Sequence, residues 1–350
     1  MRLKSTSLTL AAAAVLAALP LANAQNVTAT TDPVGFVTTN ITASSDGVNF
    51  ATTFISPALF QASSVNGSLT GTLTSVTSST VTVSNAGWVA SELPTAQAYV
   101  MLKSGNATGV LLRVSANTAD TLTVDALGAD LLTLGVAAGD AFKLIEGDTV
   151  LTMFGTPSNG VVGGNSTQYS SSKTDRVVIR DISGNIRTLY YNTDSNKWLR
   201  SGSSSDQGSI PISPYAGVYY SRIATSPLSM VTTGSVPTQS IKLLVPATGS
   251  AFFARVFPTE GTLSGLGFQS LTGWTNTSQI GITTTNVDRV VTVDASGTVR
   301  SFYYTGTQWR RAGSSSDQSS TTIPVGGAVY TVRQSAGSTQ PLAVTIPYSL

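Results

Sequence analysis

Two stretches decide how this chain is read. Asp175-Arg176-Val177-Val178, Tyr190-Tyr191 and Trp198-Leu199-Arg200 return as Asp288-Arg289-Val290-Val291, Tyr303-Tyr304 and Trp309-Arg310-Arg311. The offset is 113, shortened by two residues between the double tyrosine and the tryptophan. Asp181-Ile182-Ser183-Gly184 answers to Asp294-Ala295-Ser296-Gly297, and Gly202-Ser203-Ser204-Ser205-Asp206-Gln207 is identical to the stretch Gly313 through Gln318. Val218-Tyr219 and Arg222 then match Val329-Tyr330 and Arg333. Identity of this extent over roughly 60 residues marks an internal duplication.

Each copy reads as strand. Residues 177–180 and 186–191 flank the Asp-x-Ser-Gly segment, whose glycine closes a short hairpin, and a second turn leads into the strand of Trp198. That is a β-meander. Working outward, Thr149-Val150-Leu151 faces Thr262-Leu263-Ser264, and upstream of it the match stops. It resumes near the N-terminus, where the segment from Asn40-Ile41-Thr42-Ala43 to Phe54 resembles the one from Leu244-Val245-Pro246-Ala247 to Phe257. The simplest organisation is a first module of residues 25–56 plus 149–238, a domain of residues 57–148 inserted into it, and a second module of residues 239–350. The insertion reads as short strands at 71–76, 80–83, 110–114, 121–124 and 141–145, rich in β-branched residues with Gly, Asn and Ser at the turns. A helical turn is expected only within 126–137. The expected fold is all-β: two duplicated β-sandwich or β-meander modules, with a small β-barrel-like domain inserted in the first.

Composition narrows the chemistry. The 350 residues include 98 Ser or Thr, only 10% are charged, and there is no His and no Cys. A Ser-His-Asp triad, a cysteine nucleophile, thiolate or imidazole metal sites and disulfides are all excluded. Residues 1–24 carry Arg2 and Lys4, an apolar run from Leu8 to Leu21 and Ala22-Asn23-Ala24, the order of a secretory signal peptide. Without that segment 17 basic residues face 17 acidic ones, a balance that does not suggest nucleic acid as a partner. No later segment reaches the roughly 20 apolar residues of a membrane-spanning helix. The expected location is the periplasm, the outer cell surface or the medium.

No catalytic residue, metal site or cofactor is nominated. Asp206, Gln207, Asp317 and Gln318, in the two identical loops, are the candidates for meeting a ligand twice; the same aspartates serve equally to cap loop amides. Trp198, Trp309, Tyr191 and Tyr304 either line a sugar-stacking platform or pack in the core, strand alternation burying one tyrosine of each pair. Asp175 and Asp288 are expected to pair with another strand. Ser170-Ser171-Ser172-Lys173 has the Ser-x-x-Lys spelling without the companion motifs of such enzymes.

Thr31-Asp32-Pro33-Val34-Gly35-Phe36-Val37, Gly71-Thr72-Leu73-Thr74-Ser75-Val76, Ala138-Gly139-Asp140-Ala141-Phe142 and the Tyr-Tyr to Trp-x-Arg run resemble an uncharacterised family of exported β-rich proteins typical of verrucomicrobial bacteria. The resemblance covers most of the chain after residue 24 and implies export and a shared β architecture, with no catalytic residue to carry over. The leading expectation is a secreted or surface-associated β protein, not an enzyme, that works by binding or assembly. Its expected partner is either itself, through edge strands, or a cell-surface polysaccharide. The alternatives are a carbohydrate-active or glycan-binding protein using the loop carboxylates and aromatics, and an outer-membrane-associated barrel component.

Overall fold

Short runs of alternating apolar and polar residues, separated by Gly, Asn and Ser turns, become antiparallel strands throughout the molecule. A computed structural model describes residues 32–57, 59–180, 185–276, 287–294, 297–334 and 338–349. The expected signal peptide and the turn at Asp181 lie outside the described residues. The chain is all-β. The helical turn expected within 126–137 amounts to a single bond of α-helical spacing, Leu134 N–H to the Asp130 carbonyl (3.0 Å), among tighter and wider turn bonds. Helices of four or five residues form elsewhere, at Glu92–Thr95, Val150–Phe154 and Ser166–Ser170. Capping explains the last of them: Asn165 Oδ1 accepts from Gln168 N (3.0 Å) and Gln168 Oε1 accepts from Asn165 N (2.8 Å).

Two five-stranded sheets have the same strand order. One runs Lys197–Arg200, Ile186–Asn192, Arg176–Arg180, Val218–Arg222, Ala51–Ile55, and the other Trp309–Arg311, Val299–Tyr304, Arg289–Val293, Ala328–Arg333, Gly249–Ala254. Each is flanked by a two-stranded ribbon, Val34–Ile41 with Leu228–Ser235 and Ile241–Val245 with Gln340–Val344. Each also carries the same buried staple. Asp175 Oδ1 accepts from Ile223 N (2.9 Å), its Oδ2 from Val162 N (2.9 Å), and its partner is Arg222 (2.9 Å). Asp288 Oδ1 accepts from Gln334 N (2.6 Å), its Oδ2 from Thr275 N (2.9 Å), and its partner is Arg333 (3.7 Å). Both aspartates thus pair with the neighbouring strand of their sheet, as their isolation in an apolar segment requires.

One sequence match is out of register. Ala51 pairs with Arg222 and Gly249 with Arg333, so Phe54 occupies the place of Phe252, not of Phe257. The cause is a longer connection in the first unit, residues 42–50, where residues 246–248 suffice in the second. Asp46 organises it by accepting from Val48 N (2.8 Å) and Asn49 N (2.7 Å), and these bonds hold its carboxyl well below the usual carboxylate range.

Residues 61–146 form a third sheet. Thr70–Thr72 pairs with Ala141–Glu146, and, two residues further on, Ser75–Val76 pairs with Thr80–Thr82. Since the remaining strands connect Thr80–Thr82 back to Ala141–Glu146, the sheet closes on itself as a small barrel. Its inward residues, among them Val81, Val100, Leu112, Leu122 and Leu144, form their own core. The two five-stranded units meet through matching positions. Phe54 and Phe252 stack edge to face (5.7 Å), while Ser56 N–H donates to the Gly326 carbonyl (2.8 Å) and Ala254 N–H to that of Tyr215 (3.0 Å). Gly217 is required here: a Cβ on it would stand 2.5 Å from that of Ala328.

Candidate functional site

The aromatic residues nominated from sequence are core residues. Trp198 and Trp309 are 1% and 0% exposed, and Tyr191 is buried edge to face against Trp198 (5.8 Å). Tyr304 is half-buried against Trp309 (5.5 Å). The expectation that one tyrosine of each pair faces solvent fails in the first unit. There the helix Ser166–Ser170 covers the other face of the sheet, stacking Tyr169 on Tyr190 at 4.4 Å. No face of either tryptophan is left for a sugar, so the platform reading is corrected to core packing.

The repeated loops are exposed but occupied with themselves. Asp206 Oδ1 accepts from Gly208 N (2.8 Å); Asp317 Oδ1 accepts from Ser319 N (2.8 Å) and Ser319 Oγ (2.6 Å). Those Ser319 contacts hold the Asp317 carboxyl below its ordinary range. Gln207 N–H and Gln318 N–H return to the carbonyls of Trp198 and Trp309 (2.7 Å each), and the two amides bond to Ser205 and Ser316 within their own loops. No hydrogen bond or ion pair joins one loop to the other among the described residues. Ser170 and Lys173 sit at the end of a capped helix, where Ser170 Oγ donates to the Ser166 carbonyl (2.9 Å).

A different feature presents unused binding capacity: the outer edge of Val34–Ile41. Val236 N–H donates to the Pro33 carbonyl (2.7 Å). Antiparallel alternation then assigns the peptide groups of Gly35, Val37, Thr39 and Ile41 to the return strand. Those of Val34, Phe36, Thr38 and Asn40 turn outward, and among the described residues they meet no backbone partner. The same four side chains are exposed, Val34 at 79% and Phe36 at 72%, with Val231 opposite Thr38 at 63%.

The edges of the two five-stranded sheets are protected. Lys197–Arg200 and Trp309–Arg311 are short and charged, and Ala51–Ile55 and Gly249–Ala254 abut the opposite unit. The strand in the matching place, Ile241–Val245, is covered by the barrel. Lys242 N–H donates to the Gly109 carbonyl (2.9 Å), Val110 lies parallel to it, and Gly109 is needed because a Cβ there would collide with the Ser240 carbonyl. Counting back from Ile41 and Val245, Thr38 occupies the place of Lys242. Sequence reasoning used Pro33-Val34-Gly35-Phe36-Val37 only as a point of resemblance. The available signal was an eight-residue strand with no charge and no proline.

Comparison with protein-family models, with curated proteins and with solved structures finds no match to this chain.

Proposed function

We propose that this chain is an exported, non-catalytic β protein that assembles with copies of itself at the cell surface, through the outer edge of Val34–Ile41. The observation that supports it is an edge without charge that is unpaired among the described residues, where the edges of both five-stranded sheets are blunted or covered. The ribbon Val34–Ile41 with Leu228–Ser235 carries no charged residue, so a second copy meets no like-charge repulsion. One strand pairing antiparallel with its twin is self-complementary about a twofold axis. The coverage of Lys242 by Gly109 illustrates the same kind of edge satisfied by β pairing. Export rests on the signal-like residues 1–24 and on the family resemblance, and the two sheet units are read as copies of one module with the barrel as an insertion in the first.

Sedimentation velocity over a range of concentrations tests the proposal. The full chain after residue 24 is expected to associate as concentration rises, and Phe36→Lys is expected to remain monomeric with an unchanged circular dichroism spectrum. A wild-type chain that stays monomeric throughout, or a Phe36→Lys chain that associates as strongly, contradicts it.

A further inference from the structure

The barrel turns a row of three side chains outward. Val100, Leu112 and Val124 face its core, so their neighbours Tyr99, Arg113 and Asp125, paired across adjacent strands, stand together on the outer surface. The row borders a cleft of about 450 Å³ where the barrel meets both five-stranded units, closed by Ile212, Leu243 and Phe252. That volume falls in the range of roughly 300–1,000 Å³ typical of small-molecule sites, and the lining is mainly apolar.

Arg113 is the anomaly. It is half-buried, its Nε is fully shielded, and that atom has no hydrogen-bond partner; none of its nitrogens forms an ion pair among the described residues. Asp125 stands beside it on the next strand, but its Oδ1 accepts from Leu127 N (2.8 Å). Leu127 is held at the rim in the left-handed region (φ 53°) with 53% of its surface exposed, an apolar side chain presented at backbone cost. A half-buried guanidinium with a shielded, unpartnered Nε is costly, and an oxyanion reaching its terminal nitrogens from the cleft offsets that cost. Arg180 also lines the cleft but is engaged with the Ser250 carbonyl, which leaves Arg113 as the cation of interest.

We infer that this cleft binds an apolar molecule carrying a single carboxylate, the carboxylate on Arg113 and the hydrocarbon against Leu243 and Phe252. A planar carboxylate matches the guanidinium fork, and its charge is opposite to that of Arg113. This site lies apart from the free edge and is independent of assembly through it.

Calorimetric titration of the full chain with laurate, and with dodecanol as its neutral counterpart, both below micellar concentration, tests the inference. Laurate is expected to bind at one saturable site. Arg113→Met is expected to weaken laurate about 10- to 100-fold, the worth of a charge-assisted bond, while leaving dodecanol within about twofold. Ala216→Trp, which fills the cleft from its half-buried lining, is expected to remove both. Absence of laurate binding to the wild type, equal laurate binding by Arg113→Met, or unaltered binding by Ala216→Trp overturns the inference. Retained dodecanol binding by Arg113→Met shows that this variant is folded.

Discussion

The two five-stranded units place an aspartate, an arginine and a tryptophan at matching positions and complete them differently. In the first, Tyr220 OH donates to Asp175 (2.8 Å), Arg222 sits 2.9 Å from the same carboxylate, and Trp198 Nε1 donates to the Gly155 carbonyl (2.9 Å). Burial, reinforced by Asp175, holds the Tyr220 hydroxyl well above the ordinary phenol range, so it stays a neutral donor. In the second, Thr331 stands in the place of Tyr220, the arginine is 3.7 Å away, and Trp309 Nε1 is buried without a partner among the described residues. Its aromatic cluster is correspondingly richer, with Phe253, Phe268, Trp274 and Phe302 around Trp309. Specific polar bonds can be exchanged for apolar area at constant topology, because the strand order is set by the sheet ladder and not by the staple.

The largest effect expected from this contrast is at the aspartates. Asp175→Ala leaves Arg222 buried without its counter-ion and is expected to cost about 3–5 kcal/mol. Asp288→Ala, which gives up a longer ion pair and no tyrosine bond, is expected to cost less. Denaturant midpoints followed by tryptophan fluorescence measure both; equal losses would mean that the Tyr220 and Arg222 contacts add nothing.

A middle-sized effect is expected at the indoles. Trp198→Phe gives up a buried hydrogen bond and strands the Gly155 carbonyl, a loss of about 1–3 kcal/mol beyond the change in ring size. Trp309→Phe removes a polar group that is already unpaired, so the loss from ring size is partly offset. The same midpoints should fall further for Trp198→Phe, and the reverse order would contradict the assignment of partners.

The smallest effect is at the repeated loops. Ser319 bonds to Asp317 through both its hydroxyl and its N–H, whereas Gly208 offers Asp206 only an N–H. A carboxyl held low in the folded state adds stability that is present above its ordinary value of 3.8 and is lost as pH falls through the lowered one. Ser319→Gly is expected to move the Asp317 midpoint upward in a carboxyl-detected NMR titration, with no change in fold. A midpoint that stays put would show that the hydroxyl is not what lowers it.

Much of the architecture was legible in the chain because the repeat fixes which residues share a strand and strand alternation fixes their face. The paired aspartates, the barrel strands and the double tyrosines are all local patterns. The slipped register around Phe54 was not legible, because a connection of different length carries no periodicity and Phe257 offered a false match. The burial of Tyr190 together with Tyr191 depended on the helix at 166–170, whose Asn165 and Gln168 cap is readable only once a helix is suspected. The free edge escaped for a further reason: whether a strand has neighbours on one side or two is a tertiary fact, invisible in its own eight residues. Likewise Arg113 reads from sequence as an ordinary exposed strand cation.

The central claim is that Val34–Ile41 and Ile241–Val245, alike in place, differ in that one edge awaits a partner. Amide hydrogen exchange at low and high protein concentration tests it most directly, since protection follows backbone pairing. The account predicts that Phe36, Thr38 and Asn40 exchange freely in dilute solution and become protected as concentration rises. Lys242, already bonded to Gly109, should be protected at both. Exchange at Phe36, Thr38 and Asn40 that is independent of concentration would contradict the account.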